Sequence, residues 1–388
     1  MRLSAFRRRA LTTDDLICSV LRKERPSWTW APDDDSARQA FRRHRTVHGV
    51  QALLHAHLSS STWPASVLHE LRKGALQHTM WELRHKQLLA QALAALRENG
   101  IQPVLIKGTA LAYTLYSAPV LRTRGDTDLI VAVQDRPRAH ETLLALGYQR
   151  NLGMSGAFVS YQASYTRIVD GISHTLDLHW KINNSELLSR LFSYEELLAD
   201  GRQAPDLSAH ALCACPVHAL LLACMHRATH RQNPYYVDGE AHHSAGRLIW
   251  LYDIHLLARQ LSASEWDSFL LLAARKGLRA VCADGMRQAT ACLHSEYPAA
   301  VMATLSHGAT EPPGVYLEAS KRRQQWLDFV ALGSIANRLG FLRELLFPPV
   351  AYMRGKYPAA RLAWLPWLYL RRTASAMLEA LSGRRSAT

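Results

Sequence analysis

The chain has 388 residues, of which 48% are hydrophobic and 20% charged, and a formal net charge of +14. These proportions describe a folded globular protein and exclude a disordered or fibrous one, and no apolar run approaches the ~20 residues of a membrane-spanning helix. Only eight of the 46 basic residues are Lys and the other 38 are Arg, a balance suited to an anionic partner such as a nucleotide or nucleic acid.

The length predicts two or three subdomains. Residues 1–99 read as a helical N-terminal region. Its first nine residues are basic but precede no apolar core, which excludes a secretory signal. Asp33-Asp34-Asp35-Ser36 offers N-cap chemistry before a helix through Arg38, Phe41, Arg42 and Val47. A long helix follows from about Pro64 to Asn99, with Leu71, Ala75, Met80, Leu83, Leu88, Leu89, Leu93 and Leu96 at helical spacing. Asn99-Gly100 is its stop signal.

From residue 100 to 205 the grammar changes. Pro103-Val104-Leu105-Ile106 is a short buried-strand run ended by Lys107-Gly108, and Thr109 to Tyr116 reads as helix. Asp128 to Val133 is the next strand, followed by a helix from about Pro137 to Leu146. Alternating segments then appear around 148–150, 157–165 and 174–182, with Gly153, Gly156 and Gly171 as turn punctuation. Residues 206–388 read as a larger helical domain, with helices opening at Pro216 and Gly246 and loops at Pro312-Pro313-Gly314 and Pro348-Pro349. The predicted fold is therefore α+β: a small mixed sheet flanked by helical N-terminal and C-terminal regions, predominantly helical overall.

The chemistry concentrates in the middle stretch. Strand residues two apart share a face, so Asp126 and Asp128 point the same way. Asp177 lies in a second strand-like segment from which it could reach the same point. Three carboxylates beside a glycine turn suit Mg2+ (or Mn2+), which takes oxygen ligands and carries nucleotide phosphates. In that reading Asp126 and Asp128 are paired metal ligands, and Asp177 is the third carboxylate, helping to deprotonate an acceptor. Gly108 admits the phosphates to the backbone, Lys107 neutralises their charge, Thr109 offers a hydroxyl, and Arg122 and Arg124 are candidate triphosphate contacts.

These residues carry a resemblance. Val104 to Ala112, Leu115-Tyr116, Pro119, Arg122, Gly125 to Leu129 and Asp177 to Trp180 are similar to the nucleotidyltransferase superfamily with the polymerase-beta-like fold, and more narrowly to the bacterial NTP-transferase-5 family. Weaker matches run from Arg247 to Asp253 and near Leu346-Phe347-Pro348 and Tyr352-Met353-Arg354. The superfamily's usual Gly-Ser pair is here Lys107-Gly108-Thr109, which leaves the phosphate-contacting group open between Lys107 and Thr109. The resemblance implies metal-dependent transfer of a nucleoside monophosphate from an NTP to a hydroxyl or phosphate acceptor. The alternative is a catalytically inactive scaffold of this fold that binds RNA or a partner protein.

His179, two residues after Asp177, and His226 are candidate substrate contacts, set against ordinary packed histidines. Cys213, Cys215, His218, Cys224 and His226 match no familiar zinc spacing, and Pro216 with the apolar run Ala219 to Ala223 reads as core helix. The six irregularly spaced cysteines predict a reducing, cytoplasmic setting. Lys321-Arg322-Arg323 and Arg371-Arg372 are possible nucleic-acid contacts or simply solvated helix faces.

Overall fold

The computed structural model describes residues 12–58, 61–153, 156–307, 310–357 and 365–382, so the reading of residues 1–9 lies outside the described residues. Four helices come first: α1 (Thr13–Leu21), α2 (Asp35–His48), α3 (Gln51–Leu58) and α4 (Ala65–Glu98). Asp34 caps α2 by accepting from the Ala37 amide, and α4 ends at Asn99 before Gly100, which takes a left-handed φ of 71°. These boundaries follow the cap signals closely.

The sheet is built from β1 (Val104–Ile106), β2 (Asp126–Ile130), β3 (Gln149–Arg150), β4 (Gln162–Val169), β5 (Ile172–His179), β6 (Arg202–Gln203) and β7 (Leu212–Cys213). Its spatial order is β3-β4-β5-β2-β1-β7-β6. β2 runs parallel to β5 and antiparallel to β1, so the sheet is mixed as expected. Between them the strands are threaded by α5 (Lys107–Thr114), α6 (Arg136–Ala145), α7 (Glu186–Ser189) and α8 (Tyr194–Ala199). The fold is α+β and predominantly helical.

Alternation sorts the strand residues into two apolar layers. Leu105, Leu129, Val131, Leu176 and Leu178 pack with Leu89, Leu93 and Leu96 of α4 and Leu143 of α6. Val104, Ile106 and Ile130 face the other way, into a larger cluster shared by α1, α3 and the later helices α9 (Pro216–Thr229), α10 (Leu248–Gln260), α11 (Ala263–Arg275) and α12 (Arg279–Leu293). The N-terminal helices and the C-terminal helices thus contribute to one core. By the same parity Asp126, Asp128 and Asp177 belong to the face under α9 and α10, where their strands run out of that core.

Three expectations are corrected. The α5 helix starts at Lys107 rather than Thr109, because Lys107 itself turns the chain with a φ of 56°. Pro312 to Glu318 is helix rather than loop, since proline is well suited to a helix's first turn, where its missing N–H has no partner to lose. Met80 and Leu83 of α4 are 67% and 62% exposed, whereas His78, Glu82 and His85 are buried. The middle of α4 is therefore turned polar-side-in, against the back of the strand that carries Asp126 and Asp128.

The short elements α7, α8, β6 and β7 went unseen in the sequence, as did the two-stranded ribbon β8 (Tyr235–Val237) and β9 (Glu240–His242). The ribbon's turn is Asp238-Gly239, both with positive φ (51° and 82°), the same type of tight turn that Asp170-Gly171 makes between β4 and β5.

Candidate active site

Pairing in the sheet puts the acids together. Asp128 and Asp177 are direct partners across β2 and β5, so their side chains rise from the same face side by side. Oxygen atoms of both, with a ring nitrogen of His179, lie within 4.8 Å of one another, a group able to hold a divalent metal ion. Asp126 stands two residues earlier on the same face, at the exposed start of β2, and is not among that tight trio.

Two cationic or donor groups converge on one oxygen. Lys107 Nζ donates to Asp128 Oδ1 at 2.6 Å, and His179 Nε2 meets the same atom at 2.8 Å. Asp177 accepts from Ser164 Oγ at 2.5 Å and Gln162 Nε2 at 3.3 Å, which fixes its orientation from β4. Burial would raise the Asp128 carboxyl, but Lys107 and His179 outweigh it and hold it well below the ordinary range. Burial, then Asp128, raises Asp177. Asp126 is pushed up to about 7 by desolvation in the cleft, then by repulsion from Asp128 and Asp177. Its surface is open to solvent, yet its carboxyl shares the cleft with two like charges, which Lys107 and Arg122 oppose in part. The site carries more negative charge than its own cations neutralise, and oxygen-rich donors with surplus negative charge fit a divalent cation.

The remaining predicted residues divide between the cleft and its frame. Lys107 and Gly108 line a small cleft with Leu111, Arg122, Ala219, Ala223, His226, Trp250 and Asp253. His226 is in this wall, and burial, then His230, drops its ring well below the ordinary histidine range. Thr109, by contrast, is spent internally: its hydroxyl donates to the Asp126 carbonyl at 3.2 Å, meets Thr127 Oγ1 at 2.7 Å and accepts from Arg124 Nε at 2.9 Å. Arg124 also pairs with Glu82 at 2.8 Å, leaving its side chain 3% accessible. Arg122 is clamped on Asp253 of α10, Nε to Oδ1 at 2.8 Å and Nη2 to Oδ2 at 2.7 Å, with Tyr116 donating to the same carboxylate at 2.7 Å. Thr109, Arg122 and Arg124 therefore brace the loop that carries Asp126.

Sequence reasoning missed Glu82 and Asp253 as the partners of these arginines. Asp253 carried a signal, as a lone carboxylate in the apolar helix Leu248 to Ile254. It also missed the rings behind the site. Trp81 stacks on His85 at 4.3 Å and on His78 at 5.4 Å, and His85 Nε2 meets Thr127 Oγ1 at 2.7 Å.

His78 yields a stability prediction. Burial, then Arg124, lowers its ring to about 4, against 6.5 unfolded. The unfolded chain therefore binds a proton that the folded chain refuses between those values, and stability falls as the pH drops from 6.5 toward 4. A 2.5-unit gap on this buried ring is worth about 3 kcal/mol at pH 4 relative to pH 7. Urea unfolding at the two pH values should show that loss in the wild type and a smaller one, by about that amount, in His78→Leu. An equal loss in both proteins would refute it.

A comparison with curated proteins finds no match. The model of a family described as an uncharacterised nucleotidyltransferase matches residues 34–294, from α2 through α12 and including the whole sheet and both walls of the cleft. The chain belongs to this nucleotidyltransferase family.

Proposed function

We propose that the chain is a metal-dependent nucleotidyltransferase that moves a nucleoside monophosphate from an NTP to a hydroxyl or phosphate acceptor. The observation that carries the reading is the side-by-side placement of Asp128 and Asp177 on paired strands, with Asp126 beside them and Lys107-Gly108 opening the adjoining cleft.

Asp126, Asp128 and Asp177 would hold Mg2+ (or Mn2+), which supplies charge neutralisation at the phosphates and lowers the barrier to displacement. The amides at the start of α5 face the phosphate chain, and Gly108 lets it come close. Lys107 exchanges its contact with Asp128 for phosphate oxygen. The acceptor oxygen bonds to the α-phosphorus, the bond to the β-phosphate oxygen breaks, and pyrophosphate leaves with that electron pair. Asp177, raised from its ordinary value by burial and by Asp128, takes the acceptor's proton. His179 holds Asp128 in place, and His226 faces the acceptor or nucleotide from α9. All three carboxylates are retained, which favours catalysis over a binding scaffold that has no need of them.

Calorimetric titration of ATP, GTP, CTP and UTP with Mg2+ against wild type and Asp126→Ala/Asp128→Ala tests the reading. Binding of at least one NTP by the wild type and none by the variant is expected. Equal affinities in the two proteins would overturn the metal roles.

Gly108 separates function from folding. A Cβ there would sit 3.7 Å from Arg122 Nη2 and Arg124 Cδ, ordinary contact distances, and the backbone is not left-handed. Gly108→Ala should thus melt no lower than wild type, since alanine favours the helix by roughly 0.5–1 kcal/mol. Its NTP affinity should nevertheless fall at least about tenfold, because the methyl occupies the space through which phosphate reaches the amides. Unchanged affinity with unchanged stability would remove Gly108 from the site.

A further inference from the structure

We propose that Arg247 is the residue that grips the phosphate chain of the nucleotide, held for that contact by Trp250 and Tyr235. This rests on the nucleotidyl-transfer reading and assigns the phosphate-binding role within it to a residue other than Arg122 and Arg124.

Three cations around the cleft already have carboxylate partners. Lys107 is paired with Asp128, Arg122 with Asp253 and Arg124 with Glu82. Arg247 differs. Among the described residues no carboxylate pairs with it, and its one hydrogen bond runs from Nε to the Val47 carbonyl at 2.8 Å. Both terminal amino groups, the pair that would fork onto a phosphate, have no acceptor among those residues.

Its surroundings hold the fork in place. The guanidinium lies 5.0 Å from the Tyr235 ring centre and 5.3 Å from that of Trp250. Gly49, with a left-handed φ of 68°, lets one terminal amino group come so near the backbone that a Cβ there would lie 3.1 Å from it. Trp250 is itself a wall of the cleft that Lys107 and Gly108 open. Stacking on two rings removes most of the rotational freedom that an arginine otherwise loses on binding.

Electrostatics agree with this placement. Burial, then the charge of Arg122, lowers Arg247 to about 10, and Asp126 and Asp253 act on it in the opposite sense. The guanidinium is therefore within electrostatic reach of the carboxylate site and is short of counter-charge. A polyphosphate entering past Lys107 supplies that counter-charge. Lys107 approaches the chain from the β1 side and Arg247 from the α10 side, so the nucleotide bridges the sheet and the C-terminal helices.

Inorganic tripolyphosphate with Mg2+ is the probe, because it carries the phosphate chain without a base. It is titrated into wild type, Arg247→Lys and Arg247→Met, and Mn2+ affinity is measured in each as a control on the carboxylate site. Arg247→Met should bind tripolyphosphate about 10- to 100-fold more weakly with Mn2+ affinity unchanged, and Arg247→Lys should fall between. If wild type binds the probe and Arg247→Met matches it within twofold, or if Mn2+ affinity falls in parallel, Arg247 is only a packing residue and the transferase reading stands. If wild type binds neither tripolyphosphate nor any of the four NTPs, the transferase reading fails and takes this assignment with it. Should both variants unfold, modification of wild type by phenylglyoxal decides. Protection of Arg247 by Mg2+-tripolyphosphate supports the assignment, and equal modification with and without it overturns the assignment.

Discussion

Asp128→Asn should abolish Mn2+ binding at the site and cut pyrophosphate release from NTP by about 10³-fold or more, while leaving the fold standing. The size follows from what the carboxylate does. Metal-ion stabilisation of a developing phosphoryl charge is worth several kcal/mol, and each 1.36 kcal/mol is a factor of ten in rate. Asn preserves the shape and one acceptor oxygen but removes the charge.

The effect on stability points the other way. Asp128 is the partner of Lys107, and removing one member of a buried pair commonly costs about 3–5 kcal/mol. Here two further carboxylates share the cleft. Asp126, pushed up to about 7 by burial and its neighbours, is relieved of part of that repulsion when Asp128 loses its charge. Lys107 keeps Asp126 and Asp177 as partners, since both already act on its charge. The net loss should therefore stay below the usual figure for an orphaned buried charge, under about 2 kcal/mol. The decisive comparison is the rise in melting temperature on adding Mn2+, present in wild type and absent in Asp128→Asn. A variant that retains a tenth of the wild-type turnover, or the full metal-induced rise, would remove Asp128 from the metal site.

How much of this was legible in the sequence depends on whether the information is local. The two-residue strand period put Asp126 and Asp128 on one face, and the order strand, glycine turn, helix, strand brought Lys107-Gly108 to them. Asn99-Gly100 ended α4 where it does end, and Asp34 capped α2. Asp238-Gly239 carried the same turn signal as Asp170-Gly171 but was passed over, because its flanking strands have only three residues each and one of them is Glu240-Ala241-His242. Periodicity failed in the middle of α4. Met80 and Leu83 fit an apolar stripe, yet the helix turns His78, Glu82 and His85 inward instead. Glu82 answers Arg124 and Tyr113, and His85 answers Thr127. Partners 42 residues away leave no trace in a helical pattern. The same holds for Arg122, whose acceptor Asp253 is 131 residues further along. An arginine just before the acids reads as a candidate phosphate ligand, and nothing local in the sequence marks the distant carboxylate it pairs with.

The Arg122–Asp253 pair has a measurable consequence for stability. Arg122 and Asp253 have side chains only 6% and 4% accessible, so either single change leaves a buried charge without its counterpart. Arg122→Met and Asp253→Leu should each lower unfolding free energy by about 3–5 kcal/mol. The double variant should cost less than either single one, because no charge is stranded. What remains is mainly the Tyr116 hydroxyl, deprived of its acceptor at about 1–3 kcal/mol. Costs that simply add in the double variant would show that the two side chains do not act as a unit.

The same variants also decide what Arg122 does. A strap between the Asp126 loop and α10 fixes the separation of Gly108 from Trp250, so cutting it from either end should weaken NTP binding. A phosphate ligand merely parked on Asp253 behaves oppositely: Asp253→Leu would free the guanidinium for the nucleotide and tighten binding. Three hydrogen bonds from Arg122 to Asp253, with a fourth from Tyr116, favour the strap. Releasing all of them for one phosphate contact would expose a buried carboxylate to that phosphate's own negative charge. NTP affinity should therefore fall in Asp253→Leu, and a rise would transfer the phosphate role from Arg247 back to Arg122.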